Sequence, residues 1–107
     1  MTAPRHLRPQ DVYDACAWFY GLEPIHTGRR ATRREAEAKH AYWAALIAIG
    51  LSVREVAELS NASLTTVKEA LRQRPDCAVV LARARTQVAI TEANAARLKQ
   101  LELEMTL

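Results

Sequence analysis

Residues 52–72 read SVREVAELSNASLTTVKEALR, a helix, a tight turn and a second helix. Ser52 and Glu55 form a capping box: the serine oxygen takes the Glu55 amide proton and the glutamate reaches back to the serine amide. Val56, Ala57, Leu59 and Ser60 then put small and apolar groups on one face. Asn61 falls where the chain must turn, and asparagine tolerates positive φ better than other non-glycine residues. Ser63 is placed to cap the next helix, whose inner face is Val67, Ala70 and Leu71. The helix must stop before Pro75, because the residue preceding a proline is excluded from helical angles.

A small Ala57 that lets one helix approach the next, with an apolar Val67 filling the angle between them, is the helix-turn-helix pattern. Ser63, Leu64, Thr65, Thr66, Lys68, Glu69 and Arg72 are then expected to point outward from the second helix and read base edges in a major groove. Leu64 is suited to a thymine methyl, Lys68 and Arg72 to guanine acceptors, and Glu69 to a cytosine amine. The competing reading is an ordinary helical hairpin that touches only protein.

The rest of the chain supplies the setting. Its 107 residues amount to one domain. Half of the residues are hydrophobic, enough for a core, while valine and isoleucine are few and do not alternate with polar residues, which argues against strands. The expected fold is all-α, five helices with an extended last one. The net charge of +3 permits nucleic-acid binding without requiring it. Two distant cysteines, Cys16 and Cys77, and no spaced histidines speak against a metal site; spacing alone leaves a disulfide open, and free thiols in a reducing compartment are the simpler reading. No signal peptide or membrane-length apolar run is evident, so a cytoplasmic, nucleoid-associated location is expected. No paired carboxylates, nucleophile with its base, or glycine-rich phosphate loop is recognisable, and neither enzymatic activity nor a cofactor is expected.

In chain order, residues 1–8 form a basic arm, with Arg5, His6 and Arg8 more simply read as solvated than as DNA contacts. Residues 9–20 form a first helix with proline and Asp11 at its start and Val12, Ala15, Cys16 and Phe19 on its inner stripe. Trp18 and Tyr20 flank that stripe, and this aromatic-rich helix is expected to anchor the core. The loop GLEPIHTGRRA, 21–31, leads into a second capping box, Thr32 with Glu35. Arg29, Arg30, Arg33 and Arg34 therefore cluster at a helix N-terminus, a favourable seat for phosphate. In the helix 33–49, Ala36, His40, Trp43 and Ile47 mark the inner face, with Leu46 beside it, while Lys39 and Tyr42 extend the basic surface. After Pro75, Asp76 caps a last helix from 77 to about 104, with Leu81, Ala84, Val88, Ala95, Leu98 and Met105 on one stripe. That helix is longer than the body can cover. Its far end, with Leu98, Leu101, Leu103 and Met105, is expected to dock on a partner protein or on a second copy.

The helix DVYDACAWFYGL, the basic loop GRRATRR, the helix ending YWAALIAIG and then TTVKEAL together resemble the C-terminal DNA-binding domain of the bacterial initiator DnaA, a Trp-repressor-like helix-turn-helix. The resemblance spans roughly 9–74 and implies a DnaA-like DNA-binding domain over 9–75, followed by a partner- or self-association segment over 76–107. It also implies a phosphate-holding role for Arg29, Arg30, Arg33 and Arg34, joined by Lys39. The turn differs: S-N-A-S-L stands where DnaA reads like G-G-R-D-H, so the target sequence does not carry over. A stand-alone domain of this kind is similar to the gene-transfer-agent activators of alphaproteobacteria. That similarity implies a double-stranded-DNA-binding transcriptional activator working with a partner that contacts RNA polymerase. The run ALIAIGLSVREVAELSNASLTTVKEALRQRPD also resembles phage small terminase subunits, which implies DNA packaging as an alternative.

Overall fold

The computed structural model describes residues 6–24 and 32–106. Five helices follow one another: α1 (Pro9–Tyr20), α2 (Arg33–Ala48), α3 (Val53–Ser60), α4 (Leu64–Arg72) and α5 (Ala78–Met105). No strand occurs among the described residues. Each boundary has a local cause. The Asp11 carboxylate accepts the Arg8 backbone N–H at 2.8 Å at the start of α1, and Gly21 closes that helix at φ 71°. Thr32 accepts the Glu35 amide at the start of α2. The Asp76 carboxylate accepts the Ala78 amide at 3.0 Å and starts α5, with Cys77 as the half-helical residue between them. Arg74, before Pro75, avoids the helical region by taking a left-handed φ of 51°.

α2 is the hub. It packs against all four other helices, whereas α1 pairs with α5 and α3 with α4, and neither pair touches the other. The core consequently wraps around α2, where Ala38, Ala41, Tyr42, Trp43, Ala45 and Leu46 are all buried. Small alanines let neighbouring helices approach closely, and Trp43 and Leu46 fill the remaining volume. Tyr42, expected on the outer basic surface, is buried and meets Tyr13 edge-on at 5.4 Å. Ala36, His40 and Ile47, expected on the inner face, are only half-buried. A helix with neighbours on several sides has no single inner stripe, so periodicity misplaced these residues.

α1 also departs from expectation. Val12, Ala15 and Cys16 are buried, but Trp18 and Phe19 are 62% and 43% exposed. The aromatic helix anchors the core through its small residues and Tyr13, not through its largest rings. Trp18 instead lies under the Arg83 guanidinium of α5 at 4.0 Å.

α5 is 28 residues long, about 42 Å at the usual helical rise. Its buried residues, Val80, Leu81, Ala84 and Val88, all fall in the first eleven positions. Beyond Val88 every position to Met105 is exposed except the half-buried Glu92. The molecule is accordingly elongated, 58 × 25 × 22 Å.

Candidate nucleic-acid interface

The α3–turn–α4 unit is built by caps. Ser52 Oγ accepts the Glu55 amide at 3.1 Å, and the Glu55 carboxylate accepts the Ser52 amide at 3.0 Å. Hydrogen bonds from the Ser52 amide and, secondarily, from its side chain to the carboxylate lower the Glu55 pKa. Asn61 turns the chain at φ 51°, and Ser63 Oγ accepts the Thr66 amide at 3.1 Å to start α4. Val56 and Ala57 of α3 meet Val67 and Ala70 of α4 in the core. Trp43 Nε1–H donates to Ser60 Oγ at 2.7 Å, tying the end of α3 to α2. Leu59, expected on the packed face, is 55% exposed.

Of the residues expected to face DNA, Ser63, Thr65, Thr66, Lys68, Glu69 and Arg72 are exposed together along α4. Leu64 is not free to reach a base: it is half-buried and packed against the core, where it helps close the α3–α4 angle. The hydroxyls of Ser63 and Thr66 lie 2.7 Å apart, and Ser63 is occupied by its cap. Arg72 pairs with Glu69 at 3.1 Å on the open surface, a contact weak enough to be exchanged for a ligand. Thr65, Lys68, Glu69 and Arg72 therefore form the adaptable part of the face.

Two grooves flank α4. One, of about 340 Å3, runs between α2 and α4 and is lined by His40, Thr65, Thr66, Glu69 and Gln73. The other lies between α3 and α4, with Arg54, Glu58 and Asn61 on its walls. The sequence pattern singles out neither Arg54 nor Gln73 and places His40 on the inner face of α2, not beside α4. Arg54 was legible in principle, since the Ser52 cap fixes it in the first turn of α3, the helix that crosses the backbone in this motif. His40 takes its place from the α2–α4 crossing, which no local pattern encodes. Burial, reinforced by the Lys39 charge, lowers its pKa below the usual histidine value.

The expected phosphate residues divide. Arg33 is exposed and reaches Glu37 at 3.5 Å, on the stripe of α2 that continues to His40. Lys39 lies over the Trp43 ring at 5.4 Å. Arg34 is exposed, and its Nε–H donates to the Tyr20 carbonyl at 2.9 Å while its guanidinium sits over the Tyr20 ring, so it also ties the start of α2 to the end of α1. Arg29 and Arg30 lie outside the described residues. Leu98, Leu101, Leu103 and Met105 are exposed on the distal part of α5, which touches neither α3 nor α4, so these apolar side chains lie apart from the α4 face.

Among the described residues no group of three or more histidines, cysteines or carboxylates is placed to hold a metal ion. The Cys16 Sγ–H donates to the Ala38 carbonyl at 3.2 Å, and burial pushes the thiol up to about 12, so it stays protonated. Among the described residues no helix is long and apolar enough to cross a membrane. No family model, curated protein or solved structure matches the chain.

Proposed function

We propose that this chain is a helix-turn-helix protein that binds double-stranded DNA in a sequence-dependent way and regulates transcription, in the manner of the DnaA-like activators it resembles. The observation that carries this reading is the α4 face. Five hydrogen-bonding side chains, Thr65, Thr66, Lys68, Glu69 and Arg72, stand exposed on a nine-residue helix whose opposite side is locked into the core by Val67 and Ala70. A helix held this firmly and presenting only polar tips suits insertion into a major groove. Arg54 and Arg33 flank it as backbone contacts, with Lys39 nearby on α2, and Arg29 and Arg30 belong to the same proposal. The distal part of α5 carries the protein contact, either with an RNA-polymerase-contacting partner or with another copy, and action on the nucleoid in the cytoplasm follows. The projecting α5 also suits a packaging-type subunit of the small-terminase kind, which is the second reading.

Binding to duplex DNA by fluorescence anisotropy across a salt series tests the proposal. Arg33→Ala is expected to weaken binding to all sequences and to lower the salt slope by about one. Lys68→Ala is expected to relax preference at one base pair at a cost of about 1–3 kcal/mol. Absence of binding at every salt concentration would leave a protein-interaction module. Genome-wide mapping separates the two DNA readings: sharp promoter peaks mark a regulator, and a single packaging-site peak marks the alternative.

A further inference from the structure

A groove between α1 and α5 encloses about 460 Å3. Asp11 and Asp14 line one end with Thr91, Gln87 lies midway, and Trp18 and Arg83 line the other. The two helices therefore run antiparallel, with the acidic side chains at the Thr91 end and the guanidinium at the Trp18 end. The indole there is 62% exposed although the Arg83 guanidinium covers part of its face, an unusual cost for a tryptophan.

The distal half of α5 has the complementary pattern. The groove-lining positions Ala84, Gln87 and Thr91 continue at the same alternating spacing into Asn94, Leu98, Leu101 and Met105. That spacing reads the same in both directions. Turned about a twofold axis between Thr91 and Asn94, it places Asn94 on Thr91, Leu98 on Gln87 and Leu101 on the small Ala84. The same rotation brings Lys99 to the level of Asp14 and Glu102 to the level of Arg83, so both charges meet their opposites.

We propose that the α1–α5 groove receives the distal half of α5 from a second copy of this chain, antiparallel to its own α5, in a twofold-symmetric dimer. Each copy then covers the Trp18 of the other, and Leu98 and Leu101 are buried twice by one isologous interface. The proposal deepens the assignment of distal α5 to protein association and is independent of DNA binding, because every measurement below is made without DNA.

Sedimentation velocity of the full chain is expected to give twice 12.0 kDa. Leu101→Asp is expected to give a monomer with unchanged helical circular dichroism, the position being exposed in the single chain. Asp14→Lys and Lys99→Glu should each raise the dimer Kd by about tenfold, and the two together in one chain should recover most of the loss. A monomeric wild type, a ring of more than two copies, a dimer unaffected by Leu101→Asp, or a double variant no better than either single one would overturn the proposal. So would rapid disulfide formation between copies through Leu101→Cys in a Cys77→Ser background, since only parallel helices bring position 101 onto itself.

Discussion

α2 and the distal half of α5 look alike as strings and behave as opposites in the fold. Both are rich in alanine and charge, and neither has a strong apolar stripe. In α2 the stripe is blurred because neighbours surround the helix, and seven of its sixteen residues are buried. In distal α5 it is blurred because no helix of the same chain lies against it, and no residue past Val88 is buried. Weak amphipathicity thus marks either a hub or a projection. Which one applies is decided by the number of partners within reach.

The largest test of that contrast is truncation at the hub. Trp43→Ala removes the indole at 1% exposure and its bond to Ser60, and denaturant unfolding is expected to show a loss of about 3–5 kcal/mol. Leu103→Ala on the projection, at a position 55% exposed, is expected to change stability by less than about 0.5 kcal/mol. Equal effects would erase the distinction between the two helices.

A smaller effect separates packing from capping within the body. Ser63→Ala removes the acceptor for the Thr66 amide and should cost about 1 kcal/mol, while Ser63→Asp, which keeps an acceptor, should restore most of it. The exposed face of α4 would loosen in the first variant without loss of the α2 core. Amide exchange confined to α4 would show this.

The smallest effect is a pH dependence from His40, at the edge of the hub. Its pKa in the fold lies below the unfolded value, so the unfolded chain binds the proton more readily. Stability is therefore full above about pH 6.5 and is lost as pH falls below that value through the folded pKa. Thermal melts between pH 7 and pH 5 should show this decline, and His40→Gln should flatten it. A stability that instead rose on acidification would mean that the α2–α4 groove favours the charged ring.

Much of the α3–turn–α4 unit was legible because its determinants are local. A cap needs only a serine and an amide three residues on, and the Asn61 turn needs only a residue that tolerates positive φ. Leu64 escaped that reading because its position is set by the angle between α3 and α4. The tie from Arg34 to α1 escaped because its acceptor, the Tyr20 carbonyl, lies fourteen residues earlier.

The sequence by itself determined where the helices start and stop, how α3 turns into α4, and which polar residues α4 carries outward. The tertiary structure alone decided that Tyr42 faces inward, that Trp18 and Phe19 face outward, and that α1 and α5 enclose an acid-to-base groove. The physical reason is range. Caps and turns act over three or four residues of chain, whereas burial depends on how many helices converge on a point, which neighbouring residues do not record.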